Sequence, residues 1–171
     1  MIRPARVDDL PCLQDIERAA GEAFRALAMD AVADDPPLAR EVLAAYQRQG
    51  RAWVATDRAD PAGRPVAYLL VDVVDDAAHV EQVSVHPRCS GGRLGGALLD
   101  EASGWAVRQN LASVTLTTFT HVPWNGPYYT RLGFRHVPED ELGEGLLRLR
   151  EAEAAHGLDR WPRSVMRRAA C

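Results

Sequence analysis

The stretch "VSVHPRCSGGRLGGALLDEA", Val83 to Ala102, constrains the fold more than any other part of the chain. It starts with strand alternation and ends as a helix, with Leu94, Ala97, Leu98, Ala102 and Trp105 on one face. Between the two lie Gly91, Gly92, Gly95 and Gly96, with Arg93 among them. A glycine-rich turn from strand to helix brings bare backbone N–H groups to the positive end of the helix dipole, which suits a phosphate. Two common phosphate loops are excluded. A P-loop needs a lysine, and all 20 basic residues here are arginine. A dinucleotide fingerprint needs G-x-G-x-x-G after the first strand, whereas this run is G-G-R-L-G-G in mid-chain. A pyrophosphate on backbone amides remains, beside the plainer reading of a tight turn with no ligand.

The rest of the chain supplies a frame for that turn. Residues 2–6 read as a strand, 7–27 as a helix, and 37–50 as a second helix, with a helix tail or loop between them. Strands follow at 51–57, 64–76 and 78–87, with a turn at 58–63 and a hairpin at 75–78. The glycine turn opens a helix from Gly92 to about Arg108. After it come a strand at 112–120, a short helix at 125–133 ended by Gly133, and a strand at 134–137. A helix weakened by Gly143 and Gly145 spans 138–157, and "RSVMRRA" closes as a strand. Antiparallel strands followed by a β-α-β-α-β half predict an α/β (α+β) domain over 1–171. Its mixed, mostly antiparallel sheet of about seven strands is flanked by helices.

Composition narrows the function classes. A formal charge of −4 gives no nucleic-acid footprint. Heavy use of Ala, Arg, Gly and Asp reads as the codon bias of a GC-rich genome. Cys12, Cys89 and Cys171 are widely spaced and odd in number, so they predict free thiols and no zinc site. The N-terminus lacks the layout of a signal peptide, and no apolar run approaches the ~20 residues that span a bilayer. A soluble cytoplasmic protein without metal, membrane or nucleic-acid partner is expected.

Two elements together carry a family resemblance. "VSVHPRCSGGRLGGALL" resembles the acetyl-CoA signature of the GNAT superfamily of N-acetyltransferases, V-x-P-x-x-[QR]-G-x-[GA]-[IL]-[GA]-x-x-L, matching at Val85, Pro87, Gly91, Leu94, Gly95 and Leu98. Downstream, "NGPYYTRLGF" resembles the family's N-x-x-x-x-Y-x-x-x-G-F at Asn125, Tyr129, Gly133 and Phe134. Two positions depart from the pattern: Ser90 replaces Gln or Arg, and Arg93 replaces the central glycine. The resemblance implies that amides from roughly Arg88 to Gly96 (among them Gly91, Gly92, Arg93, Leu94 and Gly95) hold the pyrophosphate of acetyl-CoA. Placed in a helical first turn, Arg93 would have a negative φ. Its side chain would then be solvated or would add a charge-assisted contact to a CoA phosphate.

The implied activity is transfer of an acetyl group from acetyl-CoA to a primary amine, by direct attack through a tetrahedral intermediate. An alkyl ammonium with a pKa near ~10 must lose a proton first. Glu81 shares one face of its strand with Val83 and Val85, and among apolar neighbours its carboxyl would be a raised-pKa base. His121 and water are the alternatives. The resemblance places an oxyanion donor at a backbone N–H near Val83, and Val85 beside the cofactor. It makes Tyr129 the acid that protonates the departing thiolate, with adjacent Tyr128 as the alternative. Asn125 would contact the pantetheine, cap a helix, or both. Cys89 has no partner base and direct transfer needs none, so a covalent route is set aside.

In this fold the acceptor side is built by the first two helices and the loop between them, here about residues 22–37. Phe24 and Met29 are the candidate contacts there, and Asp30, Asp34 and Asp35 form either an acidic rim or a capping cluster. Trp124 and Tyr128 would wall an apolar part of a small amine, beside His121. Alternatives are an acyl-CoA-binding sensor without catalysis and an acetyltransferase of proteins or peptides. The resemblance also suggests a homodimer through the C-terminal strand.

Overall fold

The computed structural model describes residues 1–57, 60 and 62–171, so the turn read at 58–63 lies partly outside them. In chain order the elements are β1 (Ile2–Pro4), α1 (Leu10–Gly21), α2 (Asp30–Ala33), α3 (Arg40–Arg48), β2 (Ala52–Thr56) and β3 (Pro65–Val74). They continue as β4 (Ala77–Val85), α4 (Leu94–Arg108), β5 (Ser113–Phe119), α5 (Gly126–Arg131), β6 (Arg135–Val137), α6 (Glu144–Ala155) and β7 (Arg163–Ala169). The seven strands form one mixed sheet in the order β1-β2-β3-β4-β5-β7-β6. The β1/β2, β2/β3, β5/β7 and β6/β7 pairs are antiparallel and β4/β5 is parallel, so the sheet is mixed and mostly antiparallel, as expected. Two compact units are distinguished, Met1–Val71 with Glu81–Asp100 and Asp72–Val80 with Glu101–Cys171. No helix of the described residues is long and apolar enough to cross a membrane.

In the first unit, β2 is buried along its whole length and β3 over its first seven residues. Their apolar runs are continuous because both faces are covered. α1 lays Leu10, Leu13 and Ile16 on Val54, Tyr68 and Leu70, joined by Leu43 from α3. The long helix expected at 7–27 is interrupted. α1 stops at Gly21, a 3-10 turn covers Glu22–Leu27, and Ala28 ends it in the left-handed region at φ 57°. The second helix starts at Arg40, not Pro37, because side chains of α1 take the Leu38 backbone. Gln14 Nε2 donates to the Leu38 carbonyl at 2.9 Å, and the Leu38 N–H donates to Glu17 Oε2 at 3.3 Å. Asp9 turns back to the Arg6 N–H at 2.7 Å and to Arg3 at 2.6 Å, so its carboxylate does not cap α1.

In the second unit, β7 lies between β5 and β6, with Leu116↔Met166 and His136↔Met166 in register. β4 pairs with β5 at Ala78↔Val114 and His79↔Thr115. The β3–β4 hairpin turns on Asp75 and Asp76, both at positive φ (49° and 58°), as a two-residue primed turn requires. Asp75 accepts the N–H groups of Gly145 and Leu146, each at 2.8 Å, and so caps α6 from outside its own segment. The helix expected over 138–157 therefore starts at Glu144, after a 3-10 turn at Glu139–Glu141.

Candidate functional site

The glycine turn is built as a bare amide cup with one strained residue. Several of its N–H groups are already engaged. Arg88 donates to His86 Nδ1, Cys89 to the His86 carbonyl, Ser90 to Pro87 and Gly92 to Cys89. The first helical bond of α4 runs from the Ala97 N–H to the Arg93 carbonyl at 3.0 Å. The amides of Arg93, Leu94, Gly95 and Gly96 are thus the orphan donors at the start of a 15-residue helix. The expected set narrows accordingly. The amides of Arg88, Cys89, Ser90 and Gly92 serve the loop itself, and those of Gly91 and Arg93 to Gly96 remain available.

Arg93 departs from expectation. It sits just before α4, not inside its first turn, at φ 59°. The left-handed region strains a side chain by roughly 1–2 kcal/mol, which explains why glycine is the usual residue here. Gly91 adopts φ 84° in the same loop, where glycine pays no such strain. The Arg93 side chain is exposed.

β4 divides its residues between two faces. Gln82 Nε2 donates to Ser84 Oγ at 2.8 Å on one face, and Ser84 is buried. Glu81, Val83 and Val85 alternate with them; Val83 and Val85 are half-buried, but Glu81 is exposed. The apolar neighbours of Glu81 along the strand therefore do not bury it.

The carboxyl raised by desolvation is instead that of Glu17, which the sequence reading passed over. Its Oε2 accepts the Tyr68 hydroxyl at 2.7 Å as well as the Leu38 N–H. Burial pushes the Glu17 carboxyl above its ordinary range, against the pull of those two hydrogen bonds. Tyr68 is fully buried, and burial together with the neighbouring Glu17 charge raises its phenol well above the usual value. The sequence did hold a signal. Position 17 lies four residues after Leu13 and seven after Leu10, so a carboxylate stands on the apolar stripe of α1.

In the second unit, Asn125 and Tyr129 are one turn apart. Tyr129 is buried, and burial pushes its phenol up to about 12, with Tyr128 adding to the rise and the Asn125 side chain opposing it. The ring packs edge-on against Tyr128 and Phe134 at centroid distances of 5.6 and 5.9 Å. Asn125 occupies the N-cap position of α5, but its side chain makes no capping bond. Its Oδ1 is buried with no hydrogen-bond partner among the described residues. Gly126 is required beside it, since a Cβ there would fall 2.9 Å from the Thr120 carbonyl carbon. His121 and Trp124 are exposed and Tyr128 is half-buried, with the Arg131 guanidinium 5.8 Å from the Tyr128 ring centre.

On the predicted acceptor segment, Phe24 is half-buried and Met29 is buried, so the Met29 side chain is packed away from the surface. Three of the acidic residues there converge on one cation, whose single charge leaves the segment net negative. Arg25 pairs with Glu22 at 2.9 Å, Asp34 at 2.6 Å and Asp30 at 3.6 Å.

Comparison with known proteins identifies the family and the fold. The sequence model of the acetyltransferase (GNAT) family matches residues 13–134. Among solved structures, Rv2747 from Mycobacterium tuberculosis, in complex with CoA, superposes with a TM-score of 0.70 at 18% identity, over 100% of this chain and 99% of that one. N-acetylglutamate synthase from Neisseria gonorrhoeae, complexed with coenzyme A and N-acetyl-glutamate, gives 0.71 at 18% identity, over 100% of this chain and 35% of that one. The ribosomal-protein-S18-alanine N-acetyltransferase from Escherichia coli gives 0.66 at 19% identity, over 99% of this chain and 93% of that one. These likenesses establish the fold, and the family match covers both the glycine turn and the Asn125–Phe134 element: the chain belongs to the GNAT family of acetyltransferases, whose reaction is acyl transfer from acetyl-CoA.

Proposed function

We propose that this chain transfers the acetyl group of acetyl-CoA to the primary amine of a small molecule in the cytoplasm, where its three free cysteines fit a reducing medium. The observation that carries the reading is the set of orphan amides from Arg93 to Gly96 at the start of α4. Backbone donors at a helix N-terminus suit a pyrophosphate whatever side chains they bear. The buried, unpartnered Asn125 Oδ1 also fits the cofactor, because a pantetheine amide offers the N–H it lacks.

Bound acetyl-CoA supplies an activated thioester, which the neutral amine attacks directly. The residues then divide the proton work. Glu81, exposed and on the strand that leads into the glycine turn, draws the proton from the ammonium, directly or through water. The Val83 N–H is the oxyanion donor. Tyr129 gives its proton to the departing thiolate. Its raised pKa keeps the donor form fully populated at neutral pH. Phe24, His121, Trp124 and Tyr128 are the proposed acceptor contacts.

A peptide acceptor is the second reading, favoured by the likeness to the S18-alanine N-acetyltransferase and to the NatC complex bound to Gag peptide. Thiol release from acetyl-CoA, measured over a panel of primary amines and N-terminal peptides, tests both. Turnover with amines supports the first reading and turnover only with peptides supports the second. Tight acetyl-CoA binding without any turnover would leave a sensor. Glu81→Gln is expected to change the pH dependence of the rate; an unaltered profile hands the base role to His121 or water.

A further inference from the structure

Glu17 is a half-buried carboxylate without a cation. Burying a carboxylate is costly, and proteins usually offset the cost with a positive partner. Glu17 has two neutral donors instead, the Tyr68 hydroxyl at 2.7 Å and the Leu38 N–H at 3.3 Å, both on Oε2. Among the described residues no arginine or histidine pairs with it, and Oε1 makes no hydrogen bond. The surrounding charges do not compensate: Asp35 pushes the carboxyl up, and Arg18, which pulls it down, has its own partner in Asp15 at 3.2 Å.

The contrast with the next turn of chain is informative. Glu22, Asp30 and Asp34 each reach the Arg25 guanidinium, whereas Glu17 reaches none among the described residues. Glu17 stands on the apolar stripe of α1, between Leu13 and Ala20. Gln82 and Ser84 of β4 extend the polar group, since both act on the Tyr68 hydroxyl. They alternate along the strand with Glu81 and Val83. A polar cluster has thus been carved into an apolar core beside the strand that carries the proposed base.

We propose that Glu17 is the acceptor-binding carboxylate: it receives the cationic head of a primary alkylammonium, with Tyr68 fixing the carboxylate so that Oε1 is presented to the N–H donors. This deepens the proposed function and rests on it for the identity of the amine as substrate. An ammonium ion has three N–H donors and a unit charge, and it satisfies both deficits of Glu17 together. The site therefore selects amines that arrive protonated, and proton removal follows binding.

Titration calorimetry at pH 7.5 tests this on the whole protein. The ligands are a panel of primary ammonium ions from butylammonium to 2-phenylethylammonium, each beside the alcohol of the same skeleton. The wild type is expected to bind the ammonium about tenfold more tightly than the alcohol. Glu17→Gln is expected to bind the two alike. The Gln carbonyl can still accept from Tyr68 and Leu38, so the fold is retained; Glu17→Asp, which keeps the charge, is expected to retain part of the preference. A wild type with no preference, or a Glu17→Gln variant that keeps it, overturns the inference. If the preference exists and Glu17→Gln abolishes it, yet no bound amine releases thiol from acetyl-CoA, Glu17 stands as the ammonium site and the acetyl-transfer reading falls.

Discussion

Gly143 has no side chain because Asp75 fills its space: a Cβ on Gly143 would lie 2.5 Å from Asp75 Oδ2. The same carboxylate caps α6 through Gly145 and Leu146. Asp75→Ala removes both bonds, and a loss of about 1–2 kcal/mol is expected in urea unfolding. Gly143→Ala is expected to destabilise in the wild type but less in the Asp75→Ala background, because the two nearest obstructing atoms, Oδ2 and Cγ, are gone and only the Cβ at 3.1 Å remains. Additive costs in that double-mutant cycle would show that Asp75 is not what excludes a side chain at 143.

Stability should also depend on His79. The ring is 1% exposed, with Nδ1 3.0 Å from Thr115 Oγ1. Burial lowers its pKa, more than the negative charges of Glu153, Asp72 and Asp75 raise it. A lowered folded pKa means that the unfolded state binds the proton more readily. The contribution of His79 is therefore complete above the ordinary histidine range near ~6.5 and is lost as pH falls through the folded pKa. Urea unfolding at stepped pH is expected to show a loss of stability on acidification that is smaller in His79→Gln. Equal slopes in the two proteins would exclude His79 as the source.

The mixed, mostly antiparallel sheet of about seven strands and both family elements were legible in the sequence, because apolar periodicity and turn residues act locally. What was not legible depends on partners distant in sequence. The late start of α3 follows from Gln14 and Glu17 holding Leu38, and the late start of α6 follows from Asp75. The apolar neighbours of Glu81 along its strand suggested a desolvated base, but flanking residues do not determine exposure. The desolvated carboxyl is Glu17, visible in the sequence only as a charge on an otherwise apolar stripe.

Tyr129→Phe isolates the proton that the thiolate needs. The phenol is buried and raised to about 12, so at neutral pH it is a donor and not a base. Removing the hydroxyl leaves the edge-on ring contacts with Tyr128 and Phe134 in place. General acid catalysis contributes roughly 10²–10⁴-fold, so kcat is expected to fall within that range while the acetyl-CoA Kd changes little. Unchanged turnover would move the acid role to Tyr128 or to solvent.

Arg93→Gly separates strain from binding at the turn. Arg93 holds φ 59° immediately before α4, a conformation open to glycine without steric cost. Relief of that strain is partly offset by the greater freedom of glycine in the unfolded chain, so a gain of up to about 1 kcal/mol is expected. The orphan amides from Arg93 to Gly96 are present in either protein. Calorimetric titration with CoA then reads the side chain alone. If the guanidinium reaches a CoA phosphate, Arg93→Gly is expected to weaken CoA binding about tenfold despite the more stable fold, with the loss shrinking as salt is added. A variant that binds CoA more tightly would instead mark arginine at this position as a defect in the cup, and the sensor reading of the chain would gain.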